Sequence, residues 1–202
     1  MEHQCSGVIL AGGLNTRFSG KKKALEIIGG KAVLSYTYDL FREMFEEVIL
    51  ITNDPIEFLS FDVKMAADIY QVRSSLTGIH AGLSMASNRW AFFAACDTPF
   101  IKKQLVETVI SAIDDKSDIV LPETEKGSEP LCAAYSKQCL TSMTQSLERE
   151  KLKIKLAIRN LRIKEIPERL LKEKDPELVS FFNINTPEDL KTAEEMIKKG
   201  II

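Results

Sequence analysis

Short apolar runs alternate along the chain with stretches in which apolar residues recur at helical spacing. The short runs are bounded by Gly, Pro, Asn or Asp, a pattern that is typical of buried strands. They predict strands over residues 7–11, 46–52, 61–66, 89–96, 117–122, 129–136, 162–167 and 179–185. The most continuous run, RWAFFAAC at 89–96, stops at Asp97.

The stretches between these runs predict helices. The predicted helices cover residues 33–44, 76–88, 105–113 and most of 137–162, whereas 168–176 is predicted to be an exposed loop or a frayed helix. Thr186 is placed to cap a last helix that has Pro187 at its first position and Asp189 at its third. An acidic residue in the first turn suits the helix dipole.

The alternation of strands and helices predicts one α/β domain over residues 1–202, a Rossmann-like three-layer sandwich with a mostly parallel sheet. In such sheets ligands bind beyond the carboxyl ends of the strands. Three features therefore fall on one edge of the predicted sheet: the glycine pair Gly12-Gly13 after the first strand, Asn53 after the second, and Asp97 after the run 89–96.

Composition excludes several classes of protein. The 202 residues are 45% hydrophobic and carry a formal net charge of −2, so neither nucleic acid nor an anionic membrane is an expected partner. No apolar run approaches the roughly 20 residues that span a bilayer. Four cysteines without a CxxC pair indicate reduced thiols and a cytoplasmic location, and two histidines are too few for a His-rich zinc site.

The glycine pair opens a segment that suits an anion. Gly12 and Gly13 let the backbone approach a ligand, and consecutive N–H groups then form a concave anion site. Arg17 and Lys23 add positive charge. The segment is neither a Walker A motif nor GxGxxG. From the glycines alone, an ordinary turn with solvated lysines is an equal alternative.

Asp97 follows the run 89–96 as a single carboxylate. Mg²⁺ commonly takes one or two protein carboxylates and completes its shell with water and substrate phosphates, so Asp97 is the candidate metal ligand. The alternative, in which Asp97 caps the next helix, is the stronger one when the motif CDTPF is taken by itself.

The full string LAGGLNTRFSGKKKAL resembles the LAGG-x-S-x-R-M-G-x-D-K signature of the MobA-type molybdenum cofactor (molybdopterin) guanylyltransferases, which are nucleotidyltransferases. The matching positions are Leu10, Ala11, Gly12, Gly13, Arg17 and Lys23. The sequence departs from the signature at Phe18, Ser19 and Lys22, where the family has Met, Gly and Asp. With Lys22 in place of Asp, the charge around a bound triphosphate would differ from that in the family.

Four further segments resemble the same family, in the same order. They are SLTGIHAGL for GPLAGI, CDTPF for CD-x-PF, EPLCAAY for PL-x-A-x-Y, and FFNINTPEDL for the closing F-x-N-x-NTPEDL. Asn53 and Asp68 stand where the family contacts the nucleotide, although both also suit turns. Asn183 and Asn185 lie in the closing motif, and Asn183 is the second candidate metal ligand.

The resemblance implies transfer of GMP from GTP to the terminal phosphate of molybdopterin, with Mg²⁺ as cofactor and release of pyrophosphate. It implies catalytic roles for Arg17, Lys23 and Asp97. The nucleotide would be bound by Leu10, Ala11, Gly12, Gly13, Lys23, Asn53, Asp68 and Asp97. Molybdoenzyme assembly proteins would be partners.

Two alternatives stay open. A related transferase that uses another nucleotide or acceptor, such as CTP or a sugar phosphate, has the same general pattern, although LAGG rather than LAAG favours GTP. A regulatory protein that binds a nucleotide without turnover is the second alternative, and the departures at Ser19 and Lys22 motivate it.

Overall fold

The computed structural model describes residues 5–12 and 22–200, and these residues form an α/β sandwich. The strands are β1 Cys5–Leu10, β2 Ile27–Ile28, β3 Lys31–Ala32, β4 Val48–Ile51, β5 Lys64–Ala66, β6 Trp90–Ala95, β7 Ile119–Thr124, β8 Gly127–Ser128, β9 Cys132–Ser136 and β10 Ile163–Pro167. The α-helices are α1 Val33–Met44, α2 Ser75–Met85, α3 Lys103–Ser111, α4 Leu140–Glu148, α5 Ile154–Ile158, α6 Glu168–Lys172 and α7 Pro187–Lys198. Within the described residues, no helix has both the length and the apolar character needed to cross a membrane.

The main sheet of the described residues has the order β10-β7-β9-β6-β1-β4-β5, with β8 paired to β7. Neighbours from β6 to β5 run parallel, whereas β9 is antiparallel to both β6 and β7. Gly12, Asn53, Asp68 and Asp97 each stand two residues beyond the end of β1, β4, β5 and β6, respectively. Since these four strands are adjacent and parallel, the four residues lie on one edge of the sheet.

Apolar cores cover both faces of the sheet because side chains alternate along each strand. Phe92 of β6 points into one core with Phe41 of α1 and Leu105 of α3. The next residue, Phe93, points into the opposite core with Ile79 of α2 and residues of α4. This is the predicted three-layer arrangement, which is confirmed.

The predicted strand over residues 179–185 is wrong. This stretch begins with the 3-10 helix Val179–Phe181 and continues as irregular chain. Its apolar residues are buried against helices instead of a neighbouring strand, since Ile184 packs with Val33 of α1 and Ala193 of α7. A single backbone hydrogen bond, from Ile184 N to Asp97 O at 2.8 Å, ties it to the end of β6. The run is apolar because its side chains are buried, although its backbone does not pair with a strand of the sheet.

Two smaller differences concern short elements. The hairpin β2–β3 turns through Gly29 and Gly30, whose φ angles of 55° and 81° suit glycine, and the apolar pattern alone did not predict it. Residues 168–176, predicted as loop or frayed helix, contain the five-residue helix α6. The capped last helix is confirmed, with Thr186 and Asp189 forming a capping box at the start of α7.

Glu47 holds together the amino ends of the central strands, opposite the edge that carries Asp97. Its carboxylate accepts hydrogen bonds from Ser6 Oγ at 2.6 Å, from Ser87 N at 2.7 Å and from Ser87 Oγ at 2.8 Å, and it pairs with Lys64 at 3.2 Å. Burial by itself would raise the pKa of Glu47, but these hydrogen bonds outweigh it and lower the pKa to about 2.

The Glu47→Gln variant is expected to lose about 1–3 kcal/mol of unfolding free energy at pH 7. Because the folded pKa lies below the unfolded one, the ionised carboxylate stabilises the protein above about pH 4.5 and loses this effect as the pH falls toward 2. Urea unfolding between pH 7 and 2 measures the free energy of unfolding, which should fall less steeply with decreasing pH in the variant than in the parent. Equal slopes for the two proteins would contradict this role.

Candidate active site

A cavity of about 310 Å³ opens at the carboxyl ends of β1, β4 and β6. It is lined by seven of the residues predicted to bind nucleotide: Leu10, Ala11, Gly12, Lys23, Asn53, Asp68 and Asp97. The structure thus brings together residues that are up to 87 positions apart in sequence, from Leu10 to Asp97. Gly13 and Arg17, the other predicted site residues of the glycine segment, lie outside the described residues.

The glycine side of the cavity gives a ligand room to approach the backbone. A Cβ atom placed on Gly12 would have no neighbour within 4 Å among the described residues. Gly78 of α2 faces Leu10 across the cavity, and a Cβ atom there would lie 3.3 Å from the Leu10 side chain. The close approach of α2 to the end of β1 narrows this part of the cavity.

Asp97 and Lys23 form the charged centre of the cavity. Lys23 lies in the short 3-10 helix Lys23–Leu25, and its ammonium bonds to Asp97 Oδ2 and, at 3.3 Å, to Asn185 Oδ1. The other carboxylate oxygen, Asp97 Oδ1, is buried and has no hydrogen-bond partner among the described residues. A buried charged oxygen without a partner is costly, so this atom is available to a ligand.

The backbone around Asp97 directs its side chain to the cavity. Thr98 closes a turn onto Ala95 O through its N–H at 3.3 Å and its hydroxyl at 2.6 Å. Asp97 does not cap the following helix, because α3 begins at Lys103 and its N-cap residue is Lys102. The structural alternative for Asp97 is therefore not realised. Burial, together with the charge of Asp97, raises the pKa of neighbouring Cys96 to about 12, so that thiol stays protonated.

Asn53 and Asp68 form a second polar pair in the cavity, on the side of β4 and β5. Asn53 Nδ2 donates to Asp68 Oδ2 at 2.8 Å, and Asp68 N donates to Asn53 Oδ1 at 3.1 Å. Neighbouring strands are about 4.8 Å apart, so the three spacings from β6 to β5 separate the Asp97 and Asp68 positions by roughly 14 Å. That separation suits a nucleoside triphosphate lying across the strand ends.

Asn183 is not brought into this cavity. Its exposed side chain donates to Phe181 O at 3.0 Å and lines a second cavity of about 660 Å³. Asn185, two residues on, is the asparagine that reaches Lys23. The metal role of Asn183 stays a prediction. The chain after the 3-10 helix Val179–Phe181 is irregular and does not keep residues i and i+2 on one face, as a strand would, so only Asn185 faces Lys23.

The cavity offers few protein donors to Mg²⁺. Within residues 5–12 and 22–200, no group of three or more His, Cys, Asp and Glu side chains is placed to hold a metal ion. The unpartnered Asp97 Oδ1 nevertheless fits a hard cation that takes one protein carboxylate and draws its other ligands from water and phosphate. The site therefore fits a metal that arrives with a phosphorylated ligand.

Comparison with known proteins identifies the family. The sequence pattern of the MobA-like NTP transferase domain matches residues 7–163. The chain belongs to this family. Its similarity to individual members extends over the whole chain: a molybdenum cofactor guanylyltransferase of Desulfosudis oleivorans is 41% identical over 197 residues, covering 98% of each chain. The predicted family and the nucleotidyltransferase fold are confirmed.

A solved structure of a MobA-like relative has the same architecture. The molybdopterin-guanine dinucleotide biosynthesis protein A of Archaeoglobus fulgidus superposes with a TM-score of 0.86 at 28% identity, and the match covers 96% of this chain and 99% of that chain. This similarity extends beyond residue 163 to the part of the chain that supplies Asn185 to the site.

Several residues of this MobA-like site did not follow from the sequence. Asn185 was one of two asparagines in the motif NIN, and the motif gave no way to choose between them. Asp54 and Arg73 also line the cavity. The only signal for Asp54 was its place next to Asn53 at the end of a strand, and a lone charged residue in a turn is usually solvated.

Proposed function

We propose that this MobA-like transferase moves GMP from GTP to the terminal phosphate of molybdopterin and releases pyrophosphate. The observation that carries the proposal is that Gly12, Lys23 and Asp97 converge in one cavity, where Asp97 Oδ1 has no hydrogen-bond partner within residues 5–12 and 22–200. The names of the guanylyltransferase from Desulfosudis oleivorans and of the dinucleotide biosynthesis protein from Archaeoglobus fulgidus support the choice of nucleotide and acceptor.

The bonds that form and break in the proposed reaction belong to the two substrates. An oxygen of the acceptor phosphate forms a bond to the α-phosphorus of GTP. The bond from that phosphorus to the oxygen that bridges the α- and β-phosphates breaks. Pyrophosphate leaves with the electron pair. No general base is needed because a phosphate monoester is already ionised near neutral pH. Catalysis therefore consists of alignment and of stabilising charge that develops on phosphate oxygens.

Among the described residues, Lys23 and Asp97 are proposed for this task. The Lys23 ammonium stabilises negative charge on the phosphates, and Arg17 is proposed to act with it. Asp97 Oδ1 would hold Mg²⁺, which supplies Lewis acid stabilisation of phosphate oxygens when it is bound. Through their ion pair, Asp97 also orients the Lys23 ammonium.

Asn53 and Asp68 are proposed to bind the guanine. The Asp68→Asn variant is expected to bind GTP ten- to a hundredfold more weakly, with little change for ATP, because a carboxylate that accepts from guanine N–H groups loses one acceptor. Titration calorimetry measures the affinities, and Asp62→Asn, at a fully exposed side chain, is the matched control. An equal loss of affinity for all nucleotides would contradict base recognition by Asp68.

The second cavity is proposed to receive the acceptor. The segment from Glu129 to Leu131 borders both cavities, with Glu129 in the second and Leu131 in the first. Asn183 lines the second cavity, and Asn185 bonds to Lys23, which lines the first. Two extended residues span about 7 Å, a distance that the phosphate-bearing arm of the acceptor can bridge. Burial, with the charge of Glu123 nearby, raises the pKa of Glu129, which suits hydrogen bonding to a heterocycle.

We propose one nucleotidyltransferase domain over residues 1–202, since α7 packs through Ala193 on the buried side of β2 at Ile28. A cytoplasmic location is supported by four buried, unpaired cysteines. The product would pass to molybdoenzyme assembly proteins.

Titration calorimetry with GTP, CTP, ATP and UTP, each with and without Mg²⁺, tests the nucleotide and the metal together. The proposal predicts Mg²⁺-dependent preference for GTP, which Asp97→Ala diminishes. Preference for CTP would move the function to a related transferase. Absence of binding for all four nucleotides would contradict the assignment of the cavity.

A further inference from the structure

Two consecutive lysines reach to opposite sides of β1. In the sheet, β1 lies between β4 and β6. Lys22 pairs with Asp54, which follows β4, and Lys23 pairs with Asp97, which follows β6. The backbone at Lys22 is extended, with φ −81° and ψ 112°, so successive side chains point in opposite directions. The chain at Lys22 and Lys23 is therefore fixed on both flanks of the strand that begins the site.

The surroundings of Lys22 are those of an anchored side chain. Its ammonium lies 2.5 Å from Asp54 Oδ2 and 5.5 Å from the centre of the Phe58 ring. The side chain is 17% exposed, whereas that of Asp54 is 58% exposed. Phe58 is fully buried, so the ring gives Lys22 a rigid contact surface. An ordinary solvated lysine has neither of these contacts.

We propose that Lys22 is a positioning residue, which acts on the nucleotide through Lys23 by fastening this part of the chain to Asp54 and Phe58. The inference rests on the proposed function, because it requires a nucleoside triphosphate beside Lys23. It gives a role to a residue at which this chain departs from the family signature, with Lys where the signature has Asp. The Lys22–Asp54 pair is part of the lining of the cavity itself.

Lys22→Ala is expected to weaken GTP binding about five- to tenfold, the combined size of a surface ion pair and a cation–π contact. Asp54→Ala is expected to weaken it about threefold, since the Phe58 contact remains. The exchanged pair Lys22→Asp with Asp54→Lys should recover affinity to within about threefold of the parent. Lys22→Ala should have no further effect when Lys23 is already replaced by Ala, because Lys22 acts through Lys23.

Titration calorimetry with GTP and Mg²⁺ measures these affinities, and thermal unfolding reports on the fold of each variant. Lys31→Ala is the matched control, since Lys31 also pairs with an aspartate, Asp39 at 2.9 Å, and lies over an aromatic ring, Tyr36 at 5.8 Å, away from the cavity. Its GTP affinity should equal that of the parent.

Three results would overturn the inference. Unchanged GTP affinity in Lys22→Ala would show that Lys22 does not position the site. An equal loss of GTP affinity on Lys22→Ala with Lys23 present and with Lys23 replaced by Ala would show that Lys22 does not act through Lys23. Tighter binding by Asp54→Ala would show that Asp54 competes with the phosphates for Lys22. These results leave the proposed function intact, whereas failure of the parent protein to bind GTP would overturn both.

Discussion

Asp97→Asn should reduce guanylyl transfer by about 10²- to 10³-fold, the loss expected when a preorganised electrostatic group is removed from an active site. The Asp97 side chain is only 14% exposed, and Oδ1 is buried without a partner among the described residues. An amide keeps the shape of the side chain but loses the charge that a hard cation requires. Its NH₂ group is also a poor neighbour for the Lys23 ammonium.

The measurement is turnover at saturating GTP over a range of Mg²⁺ concentrations, together with thermal unfolding of the same preparation. Asp115→Asn is the matched control, because Asp115 is 82% exposed and pairs only with Arg89 at 3.2 Å among the described residues. Parent-like turnover in a folded Asp97→Asn variant would contradict the assignment of Asp97.

Lys23→Ala should reduce turnover by about 10²-fold, because its ammonium bonds to Asp97 in the cavity and is placed to stabilise charge on the phosphates. The same change should have a second, opposite effect. Without Lys23, Asp97 has no ion-pair partner in the part of the chain that the structure describes, so binding of Mg²⁺ in the absence of nucleotide should become stronger. A residue that only stabilised the fold would not produce this pair of effects.

Turnover assays and titration of Mg²⁺ into the nucleotide-free protein measure the two effects. Lys23→Arg serves as the conservative variant and should retain more activity than Lys23→Ala, although a planar guanidinium does not reproduce a point charge. If Lys23→Ala lost activity and also bound Mg²⁺ more weakly, Lys23 would be supporting the shape of the site instead of competing with the metal for Asp97.

The edge of the sheet that carries the site was predictable because of simple local rules. Apolar runs that end in Gly, Asn or Asp define where strands stop, and parallel strands stop at the same edge. Gly12, Asn53 and Asp97 were placed on that edge by these rules alone, and the structure has them there. The family resemblance added the roles, and the family match confirms the resemblance.

The features of the fold and the site that were predicted wrongly, or not predicted, depend on tertiary packing. Residues 179–185 have the composition of a strand, but Ile184 is buried among helices and bonds to the backbone of Asp97. That same irregular chain decides that Asn185, and not Asn183, faces Lys23. The Lys23 and Asp97 contact joins residues 74 positions apart, and neither residue's local sequence specifies the other as its partner.

The central claim is the transfer reaction itself, and a reconstituted assay tests it most directly. The purified protein is incubated with molybdopterin, Mg²⁺ and either GTP or CTP, and both the dinucleotide product and pyrophosphate are quantified. The account predicts a guanine dinucleotide, one pyrophosphate per product, and a rate with GTP at least about tenfold above that with CTP. Equal or faster reaction with CTP, or binding of GTP without any product, would contradict it.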